Sequence, residues 1–388
     1  MKKLFNNLIF KLALGVFLGI LVGLKSSHNI MGIIVTIKYI LGQIIFFAVP
    51  LIILGFIAPS IAKLKNNASK LLGITISIAY LSSIGAAFLS AFCGYKLIPK
   101  LSIASQTAVL KELPKLVFKL DIPPIMSVMS ALALSLLLGL ATAWTKSDLV
   151  EKLLEQFQNI ILSIVNKIII PILPLFIATT FASLAYEGSI TKQAPVFLKV
   201  IVIVLIGHYV WLTFLYLIGG ALSGKNPLSV VKNYGSAYLT AVGTMSSAAT
   251  LPVALKCARK STSLRKDIVD FVIPLCANIH LCGSVLTEIF FVMTVSKILY
   301  GTLPSVSTMI LFILLLGIFA IGAPGVPGGT VMASLGLIIS VLGFNDSGTA
   351  LILTIFALQD SFGTACNVTG DGAIALMVTG IANKKIYN

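Results

Sequence analysis

Six apolar runs, each about as long as a bilayer is thick, dominate the first 225 residues. Crossing the hydrocarbon core takes about 20 mostly apolar helical residues, and a backbone there must satisfy its own hydrogen bonds. The runs are Leu8 to Leu24, Ile30 to Ile61, Leu71 to Tyr95, Ile125 to Trp144, Ile160 to Tyr186 and Val196 to Leu222. Because only 10% of residues are charged, against about a quarter in soluble domains, we predict an all-α polytopic membrane protein.

The formal net charge of +16 has a topological interpretation. Lys and Arg lie mostly in short connections, which the positive-inside rule assigns to the cytoplasm, so no nucleic-acid partner is indicated. We expect a multi-pass inner-membrane protein with cytoplasmic N- and C-termini, since no small-residue cleavage site follows the basic N-terminus. The exception is the basic segment from Lys96 to Lys119, a longer connection on which the rule acts less strictly.

The pattern changes after residue 225, where two stretches rich in small and helix-breaking residues interrupt the apolar sequence. They read GTMSSAATLPV at 243 to 253 and GAPGVPGGTVM at 322 to 332. Interrupted segments in corresponding positions mark the substrate site of many transporters. We predict re-entrant helical hairpins at about 227–257 and 304–343, with spans at Val272 to Leu299 and Ile352 to Ile381.

Three carboxylates lie well inside hydrophobic spans: Glu288, Asp360 and Asp371. Uncompensated acids in a bilayer are costly and mark functional sites. A buried structural pair is the alternative, although Lys297 is the one Lys or Arg within the two C-terminal spans away from their ends. Burial favours the neutral acid, which makes Glu288 a candidate proton carrier.

Polar residues of the eighth span recur at helical spacing. Asp360, Gly363, Asn367 and Asp371 lie at i, i+3, i+7 and i+11, which places them on one face. Such oxygens can bind an ammonium or a hard cation, and the glycines of VTGDG could let the helix loosen and expose carbonyls. For Asn367 or Thr369 alone, interhelical hydrogen bonding is the alternative.

The seventh span contains the polar, small-residue stretch CANIHLCGS at 276 to 284. A metal site of Cys276, His280 and Cys282 is disfavoured because this spacing on one helix does not converge the side chains. His280 is instead interpreted as a hydrogen-bonded core residue or a titrating group. The five cysteines have no paired spacing, so neither a disulfide framework nor a zinc ribbon is indicated.

Three motifs, SSAATLPV at 246–253, GVPGG at 325–329 and NVTGD at 367–371, resemble the dicarboxylate/amino acid:cation symporter family. The resemblance implies eight transmembrane helices, two hairpins, a homotrimer and an elevator motion. The scaffold would comprise residues 1–70 (spans one and two) and 99–193 (spans four and five). The transport domain would comprise residues 71–98 (span three) and 194–388 (span six, first hairpin, span seven, second hairpin, span eight).

The resemblance also implies site residues. An amino-acid substrate would bind with its ammonium at Asp360 and its carboxylate at Asn367. The implied substrate-binding set is Ser246, Ser247, Val326, Pro327, Gly328, Asp360, Gly363, Thr364 and Asn367. The first implied sodium site combines the carboxylate of Asp371 with carbonyls of Cys276, His280 and Asn367. The second implied sodium site uses backbone carbonyls of Asn278, Ala320, Ile321 and Ala323.

Departures from the family pattern bear on ions and substrate. Where acidic-substrate relatives read NMDGT, this chain reads HLCGS from His280 to Ser284, so Cys282 replaces a sodium-binding aspartate. A third sodium site near Tyr80, Ser82 and Ser83 is therefore in question, and coupling is to sodium, protons or both.

The substrate departure is at Gly363, where those relatives carry an arginine that pairs a substrate carboxylate. Met245 likewise stands where some relatives place an alternative arginine. We therefore predict a small neutral amino acid as substrate, with no cofactor and no enzymatic activity. A dicarboxylate or acidic amino acid symporter is the alternative, and a passive channel is the alternative of a different class.

Overall fold

The computed structural model describes residues 8–62, 70–101, 111–188, 190–323, 325 and 327–386, and this part of the chain is helical without a β-strand. The helices in chain order are α1 Leu8–Lys25, α2 His28–Ala62, α3 Lys70–Leu97, α4 Val128–Thr145, α5 Asp148–Ile164, α6 Ile170–Tyr186, α7 Ile190–Ser223, α8 Leu228–Val231, α9 Gly235–Thr244, α10 Ser247–Arg259, α11 Lys266–Ile279, α12 Cys282–Tyr300, α13 Val306–Gly322, α14 Gly329–Ser340 and α15 Asp346–Ile386. An all-helical, strongly apolar chain confirms the predicted class of polytopic membrane protein.

Six helical stretches within the described residues are long and apolar enough to cross a membrane. They are His28–Pro59, Leu71–Lys100, Asp148–Tyr186, Val196–Ser223, Lys266–Tyr300 and Gln359–Asn383. The first and fourth predicted spans, α1 and α4, have 18 residues each. At about 1.5 Å per residue they rise about 27 Å, near the lower limit for a spanning helix.

The fifth predicted span, Ile160 to Tyr186, is only part of a longer helix. Helix α5 begins twelve residues earlier at Asp148, where the hydroxyl of Ser147 accepts from Val150 N and acidic residues in the first turn suit the helix dipole. A π-turn at Val165–Ile169 joins α5 to α6. Pro171 follows and cannot donate to the preceding turn, which explains why the helical register changes there.

The seventh predicted span is not one continuous helix either. Helix α11 ends at Ile279, His280 is extended (φ −111°, ψ 100°), and α12 begins at Cys282. Two further breaks separate α9 from α10 at residues 245–246 and α13 from α14 at residues 323–328. Each break therefore places a new helix N-terminus within an apolar part of the chain.

The eighth predicted span, Ile352 to Ile381, lies within the 41-residue helix α15, which is continuous through its glycines. The expectation that VTGDG loosens the helix is wrong. A Cβ at Gly370 would lie 2.9 Å from His280 Cε1, and one at Gly372 would lie 2.6 Å from the Tyr216 hydroxyl. These glycines permit close packing of neighbours against α15, and the backbone remains helical.

The helices pack in two groups. In the first, α1 packs on α6, and α2 packs on α4, α5 and α6. In the second, α15 is surrounded by α7, α9, α11 and α12, and α3 packs on α12. Helices α13 and α14 contact both groups through α2, α3 and α4. The three helix breaks are therefore collected around α15.

Candidate functional site

The two breaks outside the seventh predicted span meet at their tips. Ser246 is the N-cap of α10, its hydroxyl accepting from Ala249 N at 3.1 Å, and the same hydroxyl donates to the carbonyl of Gly325 at 2.5 Å. Ala248 N also points at that carbonyl. Ser247, the first residue of α10, is buried. The 245–246 and 323–328 connections therefore close against each other directly.

Asp360 lies under the second tip. Its Oδ2 accepts a hydrogen bond from Gly328 N at 2.6 Å, and Gly328 is the N-cap of α14 with φ +70°, a conformation that favours glycine. The hydroxyls of Thr364 and Ser284 face the same carboxylate. Because Asp360 is 3% exposed and no basic side chain pairs with it among the described residues, it is a buried carboxyl group whose partners there are hydrogen-bond donors alone.

Asn367 caps the broken helix α12. Its Oδ1 accepts from Gly283 N at 2.7 Å and from Ser284 N at 3.2 Å, and its Nδ2 donates to Ser284 Oγ at 2.9 Å. The first amides of a helix lack intrahelical partners, so this side chain satisfies groups that the break would leave buried and unpaired. An amide nitrogen carries two hydrogens, so one donor of Asn367 remains for a ligand.

Gly363 lies at a close approach of α15 to α12. A Cβ there would lie 3.2 Å from Ser284 Cα and 3.3 Å from Ser284 N, so any side chain would press on the first turn of α12. Pro327 is partly buried beside Gly328. Val326, the remaining member of the substrate-binding set implied by the resemblance, lies outside the described residues.

Asp371 pairs with the imidazole of His280. Asp371 Oδ1 lies 2.9 Å from His280 Nδ1, and His280 Nε2 lies 2.9 Å from the hydroxyl of Ser82 on α3. The carbonyl of Cys276 accepts from His280 N. One carboxylate oxygen of the implied first sodium site is therefore hydrogen-bonded to an imidazole nitrogen.

The implied second sodium site lies where two helices end. Asn278 is in the last turn of α11, Ala320 and Ile321 are in the last turn of α13, and these helices pack against each other. The last four carbonyls of a helix have no intrahelical donor, and the C-terminal end of the helix dipole attracts cations. Ala323 follows in extended conformation. These backbone oxygens have the chemistry that a hard cation prefers.

Glu288 connects α12 to α14. The hydroxyl of Ser334 donates to its Oε1, while Oε2 is buried and has no hydrogen-bond partner among the described residues. The side chain is 0% exposed. A buried carboxyl with one oxygen unpaired is suited to carrying a proton there.

Sequence reasoning missed two partners of these residues, Ser284 and Ser334, and it did not identify Asp371 as the hydrogen-bond partner of His280. None had a signal in the sequence, because serines and a histidine in apolar helices occur most often as ordinary hydrogen-bonded residues. The disfavoured metal site is not replaced by another, since no group of three or more His, Cys, Asp or Glu side chains could hold a metal ion within the described residues.

Comparison with known proteins finds one matching family and several similar transporters. A family described as "Sodium:dicarboxylate symporter family" matches residues 8–381. Human excitatory amino acid transporter 2 is 28% identical over 228 residues, 57% of this chain and 39% of that protein. Human excitatory amino acid transporter 3 is 31% identical over 166 residues, 42% of this chain and 30% of that protein. The matched region therefore spans well under half the length of either relative.

Proposed function

Because the chain belongs to the sodium:dicarboxylate symporter family, whose members are membrane transporters and not enzymes, we propose that it is a secondary active, cation-coupled symporter of small neutral amino acids. The observation that carries this proposal is Asp360, a buried carboxylate without a basic partner among the described residues. It would bind the ammonium of the substrate, since an opposite charge compensates a buried anion.

The groups around Asp360 are suited to binding the carboxylate of a zwitterionic substrate. The N-termini of α10, α12 and α14 begin at Ser247, Cys282 and Gly329, and the positive end of a helix dipole favours a carboxylate. The remaining Nδ2 donor of Asn367 would bind the substrate carboxylate. One fixed negative charge among several positive helix ends matches an amino acid better than a dicarboxylate, which would leave Asp360 facing a second anion.

Selectivity for a neutral side chain is proposed from Gly363 and Met245. Neither supplies a cation that could pair with a second substrate carboxylate, and the bidentate geometry of an arginine is not reproduced by backbone groups. Thr364, also buried beside Asp360, would contact the far end of the substrate. The names of the family and of the excitatory amino acid transporters favour an alternative, an acidic amino acid or dicarboxylate.

Thermal stabilisation across the twenty amino acids and several dicarboxylates tests the substrate class. A ligand that binds only the folded state raises Tm by mass action, so small neutral amino acids are expected to raise it and succinate to leave it unchanged. Stabilisation by glutamate, aspartate or succinate above that by serine and alanine would establish the alternative. Uptake into proteoliposomes that ignores both sodium and proton gradients would indicate a passive channel.

The proposed architecture has eight spans and two re-entrant hairpins, formed by α9–α10 and α13–α14. Spans one, two, four and five would form the scaffold of a homotrimer in the inner membrane, with both chain termini cytoplasmic. The packing of α1, α2 and α4–α6 mainly among themselves, with fewer contacts to the helices around α15, supports this division. The second hairpin would act as the extracellular gate in an elevator motion. Native mass spectrometry of the detergent-solubilised protein tests the trimer.

Cation coupling is proposed at two places, the carbonyls at the ends of α11 and α13 and the carboxyl of Glu288. In Glu288→Gln the side chain cannot take up or release a proton. Uptake driven by a proton gradient is therefore expected to be lost, whereas exchange of internal for external substrate continues. The matched variant Ser334→Ala removes the hydrogen bond and keeps the acid, so it should retain proton-driven uptake. A pH profile identical in wild type and Glu288→Gln would exclude the proton role.

A further inference from the structure

The imidazole of His280 is held from three sides. Its Nδ1 lies 2.9 Å from Asp371 Oδ1 on α15, its Nε2 lies 2.9 Å from Ser82 Oγ on α3, and its backbone forms the break between α11 and α12. Gly370 borders the ring, since a Cβ there would lie 2.9 Å from Cε1. The side chains of His280 and Asp371 are 0% and 1% exposed, so the pair lies in the interior.

The hydrogen-bonding capacity of Asp371 determines how the His280 ring can pair with it. When Asp371 is ionised, its carboxylate accepts hydrogen bonds and donates none, so Nδ1 then carries the hydrogen that faces Asp371. A buried carboxylate requires a bound cation or directed donors to offset the loss of water. Among the ion pairs of the described residues, His280 is the partner of Asp371. Tyr216 and Tyr234 approach at Gly372, and the Tyr216 hydroxyl donates to Thr369 O.

Three oxygens near this position are hydrogen-bonded to His280. Sodium, a hard cation, is coordinated by carboxylate, carbonyl and hydroxyl oxygens. The carboxylate of Asp371 and the hydroxyl of Ser82 are bound to the two ring nitrogens, and the carbonyl of Cys276 accepts from His280 N. The neighbouring Cys282 offers a soft thiol, which suits other metals.

We propose that the His280 ring takes the place of a sodium ion at Asp371, so that the Asp371 carboxylate is not a sodium ligand in this protein. This inference rests on the proposed cation-coupled function and narrows it, because the sodium response must then originate elsewhere, with the carbonyls at the ends of α11 and α13 as the candidates. His280 is a specificity-determining residue for the coupling ion.

Sodium titrations of the purified, full-length protein test the inference. The measured quantity is Tm as a function of sodium, with choline replacing sodium at constant ionic strength. Asp371→Asn keeps an oxygen acceptor for Nδ1, so its sodium response is expected to equal that of wild type. A sodium response that wild type has and Asp371→Asn lacks would overturn the inference.

The reciprocal variant is His280→Asn, which removes the ring and leaves Asp371 without its partner. A site for sodium is then expected to appear, seen as an added, saturable rise in Tm, because ion binding stabilises the folded state by mass action. The double variant His280→Asn/Asp371→Asn should lose that added rise. An unchanged sodium response in folded His280→Asn would contradict the inference.

The matched control is His208→Asn. His208 is also a buried histidine, but its Nε2 bonds to Gly283 O at 3.1 Å and to Thr287 Oγ1 at 2.9 Å. Loss of that ring is expected to add no sodium response, and a gain there would assign the effect to loosened packing. These Tm titrations do not depend on transport activity. Failure of the proposed function would instead appear as absence of amino-acid stabilisation in wild type.

Discussion

Replacing Asp360 by asparagine is expected to weaken amino-acid binding by about two to four orders of magnitude. Removing one member of a buried charge pair costs about 3–5 kcal/mol, and each 1.4 kcal/mol is about tenfold in affinity. The asparagine oxygen can still accept from Gly328 N, which in wild type lies 2.6 Å from Oδ2. The contact with the second tip is therefore retained, whereas the charge and one acceptor oxygen are lost.

The Tm of Asp360→Asn distinguishes a loss of substrate binding from misfolding. Asp360→Asn should melt no lower than wild type in the absence of substrate, because a neutral amide is cheaper to bury than an unpaired carboxylate. The matched control is Gln359→Leu on the same helix, where a buried amide nitrogen has no partner among the described residues, and it should bind substrate normally. Calorimetric titration measures substrate affinity in both variants. Wild-type affinity in Asp360→Asn would exclude Asp360 as a substrate-binding residue.

The second large effect is expected at Asn367. Asn367→Ala leaves the buried amides of Gly283 and Ser284 without the acceptor that lies 2.7 and 3.2 Å away in wild type. Each unsatisfied group costs about 1–3 kcal/mol, so unfolding free energy should fall by about 2–6 kcal/mol. Substrate binding is expected to be lost in the same variant, since the donor for the substrate carboxylate is removed.

The variant Asn367→Asp separates the two roles of this residue. Its carboxylate still accepts from the amides of Gly283 and Ser284, and a negative charge is favourable at a helix N-terminus, which offsets part of the cost of burying the charge. Tm should therefore fall less than in Asn367→Ala. The donor Nδ2 is gone and the new charge repels the substrate carboxylate, so binding should be lost. Normal binding in Asn367→Asp would reduce Asn367 to a helix cap.

A control on the same helix is Thr369→Val. The Thr369 hydroxyl is buried with no hydrogen-bond partner among the described residues, so a side chain of similar shape should change neither Tm nor binding appreciably. A large loss of Tm there would indicate that α15 tolerates no substitution near Asn367. The stability loss in Asn367→Ala would then be unrelated to capping.

The helical class and the positions of the interruptions could be read from the chain, because apolar runs and helix-breaking residues act locally. GTMSSAATLPV and GAPGVPGGTVM contain the breaks at 245–246 and 323–328. At His280 the sequence shows only a polar stretch, because the break depends on the side-chain amide of Asn367, 87 residues later in the chain. The continuous α15 went against local expectation, because neighbouring side chains fill the space beside Gly370 and Gly372.

By itself, the sequence determined that this chain is a helical membrane protein and that three carboxylates, Glu288, Asp360 and Asp371, lie inside it, since hydrophobicity and charge are properties of each residue. Only the tertiary structure decided what each carboxylate contacts: Gly328 N for Asp360, Ser334 for Glu288 and His280 for Asp371. The physical reason is that a buried charge is defined by its partners, and these come from helices distant in the chain.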